Sequence, residues 1–130
     1  MIGETDLNKM LKSLKPKLNP GEFVFCVTDD FAQISLADII STFKEEEGVT
    51  VIIKKELADQ LKLRYAYVAA WITLTVYSSL EAVGLTSVFS TALCKESISC
   101  NVVAAFHHDH IFVNKNDAEK AMDILNRLSH

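Results

Sequence analysis

Cysteine, glycine, basic charge and long apolar runs are all scarce in this 130-residue chain, and each scarcity bounds what the chain can be. There are three cysteines, Cys26, Cys94 and Cys100, an odd number with no C-x-x-C spacing. That pattern suits thiols acting as small apolar residues in a reducing compartment. Only four glycines are present, and no G-x-G-x-x-G, Walker or G-x-S-x-G motif occurs, so phosphate cradles and nucleophile elbows are not expected. Basic residues number 13 against 17 acidic ones, for a net charge of -4, and no Lys/Arg cluster exceeds a pair such as Lys54-Lys55. A nucleic-acid surface must be positive to displace counterions, so no nucleic-acid partner is expected. The most apolar window, residues 65–77, is shorter than the roughly 20 residues a membrane helix needs, and Arg64 and Glu81 bracket it. The first ten residues show no basic stretch followed by an apolar segment. A cytoplasmic protein without a membrane partner is the expectation.

What is present points to a folded domain. Apolar residues make up 49% and charged ones 23%, enough for one core or two small units sharing one. Leu7, Met10, Leu11 and Leu14 form one helical stripe, with Thr5 as its cap. Pro16 and the "NPG" at 19–21 are expected to end that helix and turn the chain. "EFVFCVT" (22–28) reads as a central strand, apolar on both faces. Residues 32–44 stay ambiguous: Leu36, Ile39, Ile40 and Phe43 have helical spacing, but β-branched residues argue for a strand. "VTVII" (49–53) reads as a strand, and "KKELADQLKL" after it as a short helix.

The second half is clearer. Residues 66–76, with their β-branched and aromatic content, form a strand. Leu85, Val88, Phe89, Ala92 and Leu93 mark a helix. "SCNVVAAF" and "HIFVN" make a hairpin. The last helix, with Ala118, Ala121, Met122, Leu125 and Leu128 as its stripe, is capped by Asn116 with Glu119 three residues on. This β-α-β-β-α order is a ferredoxin-like unit lacking its last strand. The simplest remedy for the open edge is a strand from the first half. The predicted fold class is α+β, two tandem ferredoxin-like units with antiparallel sheets and helices on one face, over residues 1–64 and 65–130.

The stretch "VGLTSVFSTALCKESISCNVVAAFHHDHIFV", with "EEEGVTVII" and "AAWITLTV" upstream, resembles the ACT-domain pattern. The likeness covers roughly residues 20–128 and is similar to tandem ACT-like proteins, among them the eukaryotic cytosolic arginine sensor and small bacterial relatives. It implies a non-enzymatic regulatory module that senses an amino acid or similar small molecule at an interface between ACT units, with no cofactor, and a homodimer. It implies a ligand at the strand-to-helix loop Ser78–Leu85, so Ser78, Ser79, Glu81, Val83, Gly84 and Leu85 are candidates. The physical reason is sound: a helix N-terminus offers free N–H groups to a carboxylate. Glu81 would pair with an amino group, and Asn101 would offer both donor and acceptor. Asp109 stands where the arginine sensor's hairpin carries an acid, but the histidines around it depart from that pattern and put arginine in doubt.

Those histidines carry their own hypothesis. His107, His108, Asp109 and His110 have the donor types of a metal site, which would make the chain a metal-dependent enzyme. In a strand, however, neighbours point to opposite faces, and no fourth ligand lies near in sequence. A polar turn is the favoured reading and no metal ligand is assigned. A purely structural oligomerisation module is the third alternative.

Overall fold

The computed structural model describes residues 6–76 and 83–129. Helix α1 spans Leu7–Ser13, and the carboxylate of Asp6 accepts from the Lys9 N–H at 3.3 Å to cap it. The cap is therefore Asp6 and not Thr5, which falls outside the described residues. The next element corrects the sequence reading more deeply. Strand β1 runs unbroken from Lys15 to Thr28, through Pro16, Pro20 and Gly21, where a break and turn were expected. Its pairing with β3 (Gly48–Lys54) begins only at Phe23, so the prolines have no ladder bond to lose on that side. Gly21 takes φ +105°, which a residue with a side chain resists.

Residues 29–40 form no α-helix. They make two 3-10 turns, Phe31–Gln33 and Leu36–Asp38, before β2 at Ser41–Glu45. Asp30 accepts from Ala32 N–H and Ser35 from Ala37 N–H, local bonds that compete with a helical ladder. After β3, α2 covers Lys55–Leu61 and ends on Lys62 in the left-handed region at φ 57°. Then come β4 (Val68–Thr75), α3 (Leu85–Cys94), β5 (Asn101–Ala104), β6 (Asp109–Asn114) and α4 (Ala118–Arg127). The start of α4 also differs from expectation. Asn114, not Asn116, supplies the side chain, accepting from the Asn116 N–H at 2.9 Å across a 3-10 turn, and Asp117 holds the cap position.

Hydrogen-bonded neighbours run β2-β3-β1-β4-β6-β5 in an antiparallel sheet. The chain divides into two units, Met1–Pro20 with Ala70–His130, and Gly21–Ala69, and β1 contributes a segment to each. In the first, alternate residues of β4 and β6 (Ala70, Ile72, Leu74, Ile111, Val113) pack on Phe89 and Leu93 of α3 and on Ala121 and Leu125 of α4. Met10 and Leu14 join them from the N-terminal segment. Each large side chain buried this way contributes about 1.5–3 kcal/mol. The strand that the β-α-β-β-α order lacked is supplied by the first part of β1, beside β4.

In the second unit, Val24, Cys26, Val51 and Ile53 form a smaller core with Ile34 and with Ala58 of α2. Tyr65 donates to Asp59 at 2.7 Å while Lys55 pairs with its other oxygen at 3.0 Å, tying the chain after α2 back to that helix. No helix among the described residues is long and apolar enough to cross a membrane.

Candidate functional site

The β5–β6 hairpin decides where the histidines go. Its tip is closed by the Ala105 N–H donating to the His108 carbonyl at 3.0 Å, and the ladder begins with Ala104 opposite Asp109. From there the pleat alternates. Ile111 and Val113 face the helix layer, so Asp109 lies on that side and His110 and Phe112 on the other side, bare of described helices although Phe112 is itself buried. Neighbours in sequence are thus split between two environments.

On the bare side, His110 meets two residues of β4. Trp71 Nε1–H donates to His110 Nδ1 at 3.0 Å, and Thr73 Oγ1 lies 3.2 Å from the same nitrogen. The indole N–H is only ever a donor, so Nδ1 is unprotonated and the neutral ring carries its proton on Nε2. Asn19 of β1 donates to Thr73 Oγ1 at 2.9 Å and to the Trp71 carbonyl at 3.2 Å, which leaves the Thr73 proton directed at His110. Trp71 stacks on Phe112, with ring centres 6.2 Å apart. Burial first, then the neighbouring His108, push the His110 pKa below the ordinary imidazole value, against an opposing pull from Asp109.

This geometry bears on metal binding. A histidine whose Nδ1 lone pair accepts from Trp71 must give up that bond or change tautomer before it can hold a cation. The rings of His107 and His108, and of His108 and His110, are 6.2 Å apart at their centres. Among the described residues no group of three or more His, Cys, Asp or Glu is placed to hold a metal ion. Asp109 is half-buried, and burial raises its pKa while His110 opposes the rise. Its carboxylate has no hydrogen-bond partner among the described residues.

The other candidates are scattered. Ser78, Ser79 and Glu81 lie outside the described residues. Val83 is exposed, and Leu85 is in the core, leaving only its backbone for a ligand. Gly84 sits at the N-cap of α3 with φ +99° and no side-chain cap, so the first N–H groups of α3 are not covered by a capping side chain. The Asn101 side chain donates to the Phe112 carbonyl at 3.4 Å. Along β5 it is three residues from the partner of Asp109, about 10 Å of strand. A cavity of about 380 Å³ exists in the second unit, between Ile40 and Leu57 with Asp38, Lys54 and Glu56 on its lining, and it involves none of the candidates.

Sequence reasoning missed the Asn19–Thr73–Trp71–His110 group. The alternation in "AAWITLT" did mark Trp71 and Thr73 as facing away from Ile72 and Leu74. Asn19 left no such signal, because "NPG" reads locally as a turn.

Known proteins share this fold. The ACT domain family matches residues 2–70 and matches again over residues 67–127. The chain belongs to the ACT-domain family. Its two ACT matches overlap over residues 67–70, at the start of β4. A solved Vibrio cholerae protein of unknown function, named a possible transport protein, is 40% identical, covers 97% of this chain and 98% of its own, and superposes with a TM-score of 0.84. An Agrobacterium tumefaciens protein shares the fold at 20% identity, 90% coverage of each chain and a TM-score of 0.67. So does Clostridium acetobutylicum aspartate kinase, an allosteric enzyme, at 12% identity and a TM-score of 0.60, over 90% of this chain and 34% of the kinase. No curated protein matches. ACT domains are regulatory rather than catalytic, typically bind small molecules such as amino acids, and often pair.

Proposed function

We propose that this ACT protein is a non-enzymatic sensor of an amino acid or similar zwitterion. The observation that carries the reading is Asp109, half-buried on the helix side of the sheet with no hydrogen-bond partner among the described residues. A desolvated carboxylate gains most from a ligand that brings a cation to it, and an ammonium group does so. The uncapped start of α3 at Gly84 is suited to the carboxylate of the same class of molecule. Ser78, Ser79 and Glu81 complete the proposed site, and ACT pairing favours a homodimer that shares the ligand between units. In this reading the output passes through a protein partner or through self-association. Ligand binding shifts the population of one assembly, by its differential affinity for it.

The test is a melting panel with each amino acid at millimolar concentration, on the native chain and on Asp109→Asn. A ligand at 100 times its Kd adds about 2.7 kcal/mol and raises the melting point by several degrees. One or two hits that vanish in Asp109→Asn support the reading. A flat panel removes amino acids as ligands, and a hit that survives in Asp109→Asn removes Asp109 from the site.

A further inference from the structure

The bare-side group around His110 has a property that ligand sensing on the helix side does not use. Its central nitrogen is an acceptor facing two donors. Trp71 Nε1–H points at Nδ1 from 3.0 Å, and Thr73, whose oxygen already accepts from Asn19, points its proton at the same atom. Adding a proton to neutral His110 places it on Nδ1, because Nε2 already holds one. The Trp71 contact then sets donor against donor and must open. Thr73 can respond, since a hydroxyl both donates and accepts. By rotating, it accepts from the new Nδ1–H while still accepting from Asn19. Trp71 has no such option.

We propose that His110 is a proton-operated latch on the β5–β6 hairpin: the neutral ring holds Trp71, and protonation transfers its Nδ1 bond from Trp71 to Thr73 and releases the indole. The surroundings make the exchange discrete. On β4 the facing groups are Trp71 and Thr73, and on β1 Asn19, all uncharged. Across the ladder on β5 stands Val103. Among the described residues, the titratable neighbours acting on the ring are His108 and Asp109 of its own hairpin, with opposite signs. Indole and imidazole are also in ring contact, with centres 5.7 Å apart, so opening the bond changes the environment of the indole directly. The latch does not depend on which ligand, if any, Asp109 receives.

Trp71 is the single tryptophan, so its emission reports the latch without labelling. The experiment titrates emission of the full chain from pH 8 to 4.5, with far-UV circular dichroism to verify that the fold persists. The expected result is one transition with a midpoint below the ordinary imidazole value of 6.5, absent in His110→Asn, which keeps an uncharged acceptor. In Thr73→Val the midpoint falls further, because a hydrogen bond to a charged imidazolium is stronger than one to the neutral ring. Ring nitrogen shifts of the native chain at pH 8 provide a test free of mutation, with Nδ1 bare and Nε2 protonated. An emission profile flat over the range, a transition that survives in His110→Asn, an unmoved midpoint in Thr73→Val, or the opposite tautomer at pH 8 would overturn the proposal.

Discussion

Removing the Thr73 hydroxyl tests the bare-side network as a unit. Thr73 is 8% exposed, and its oxygen accepts from Asn19 at 2.9 Å and lies 3.2 Å from His110 Nδ1. Thr73→Val keeps the shape and deletes both bonds. Each neutral hydrogen bond contributes about 0.5–1.5 kcal/mol net, and a half-buried partner left unpaired adds to the cost. Against this, a methyl group replaces a desolvated hydroxyl. Two bonds therefore set the loss at pH 8 at about 1–2 kcal/mol. Asn19→Ala deletes the shared 2.9 Å bond and also the 3.2 Å bond to the Trp71 carbonyl, so it costs about the same. The double variant should cost less than the sum by about 0.5–1.5 kcal/mol, because one bond is counted in both singles. Urea unfolding reads this directly: with a slope of about 1.5 kcal/mol per molar, each single variant lowers the midpoint by roughly 1 M. Strictly additive effects, or a Thr73→Val variant as stable as the native chain, would refute the claim that Asn19 and Thr73 act together.

Three further outcomes are expected. Gly84→Ala forces a side chain into φ +99° and places its Cβ 3.4 Å from Leu7 Cδ2, so it should lower stability by about 1–2 kcal/mol and weaken any ligand held at the start of α3. The two half-buried titratable groups act in opposite senses. His110, lowered below 6.5, contributes stability that is complete above that value and is lost as the pH falls through the window beneath it. Asp109, raised above 3.8, weakens the fold at neutral pH and ceases to as the pH falls toward 3.8. Asp109→Asn should accordingly be more stable than the native chain at pH 7 and equal to it near pH 3, as urea midpoints at the two values will show. Finally, burial raises Cys100 to about 11, leaving about one thiol in a thousand ionised at pH 8. Brief treatment with iodoacetamide should therefore label exposed Cys94 first, and peptide mass spectrometry that finds Cys100 modified at a similar rate would contradict this.

Much of the fold was legible because local pattern and tertiary role agree. Leu85, Phe89 and Leu93 are a stripe in sequence and a buried face in α3. The ten residues from Asn101 to His110 allow little except a hairpin. The pattern misled where a long-range partner outweighs a local preference. "NPG" is a turn on its own, but Asn19 finds Trp71 and Thr73, 52 and 54 residues away, and the segment stays extended. Leu36, Ile39, Ile40 and Phe43 have helical spacing, yet Asp30 and Ser35 bond their own backbone and only Ile34 is buried among residues 29–40, so no apolar face remains to hold an α-helix. The site was half-legible for the same reason. Residue types singled out Asp109 and the histidines, while the pairing that fixes the His110 tautomer depends on strands distant in sequence.

Strand β1 also has a consequence for how the chain is made. Its first part, Lys15–Pro20, belongs with Ala70–His130, and its second part with Gly21–Ala69. On the ribosome, Asn19 emerges long before Thr73, and longer still before α4. At 5–20 residues per second, roughly 5–20 s separate synthesis of the first part of β1 from completion of α4. The Gly21–Ala69 unit can assemble during that interval, whereas the earliest residues made are among the last to be packed. Until then an unpaired strand segment is open to other chains, and Pro16, Pro20, Lys15 and Lys17 are residue types that discourage such pairing.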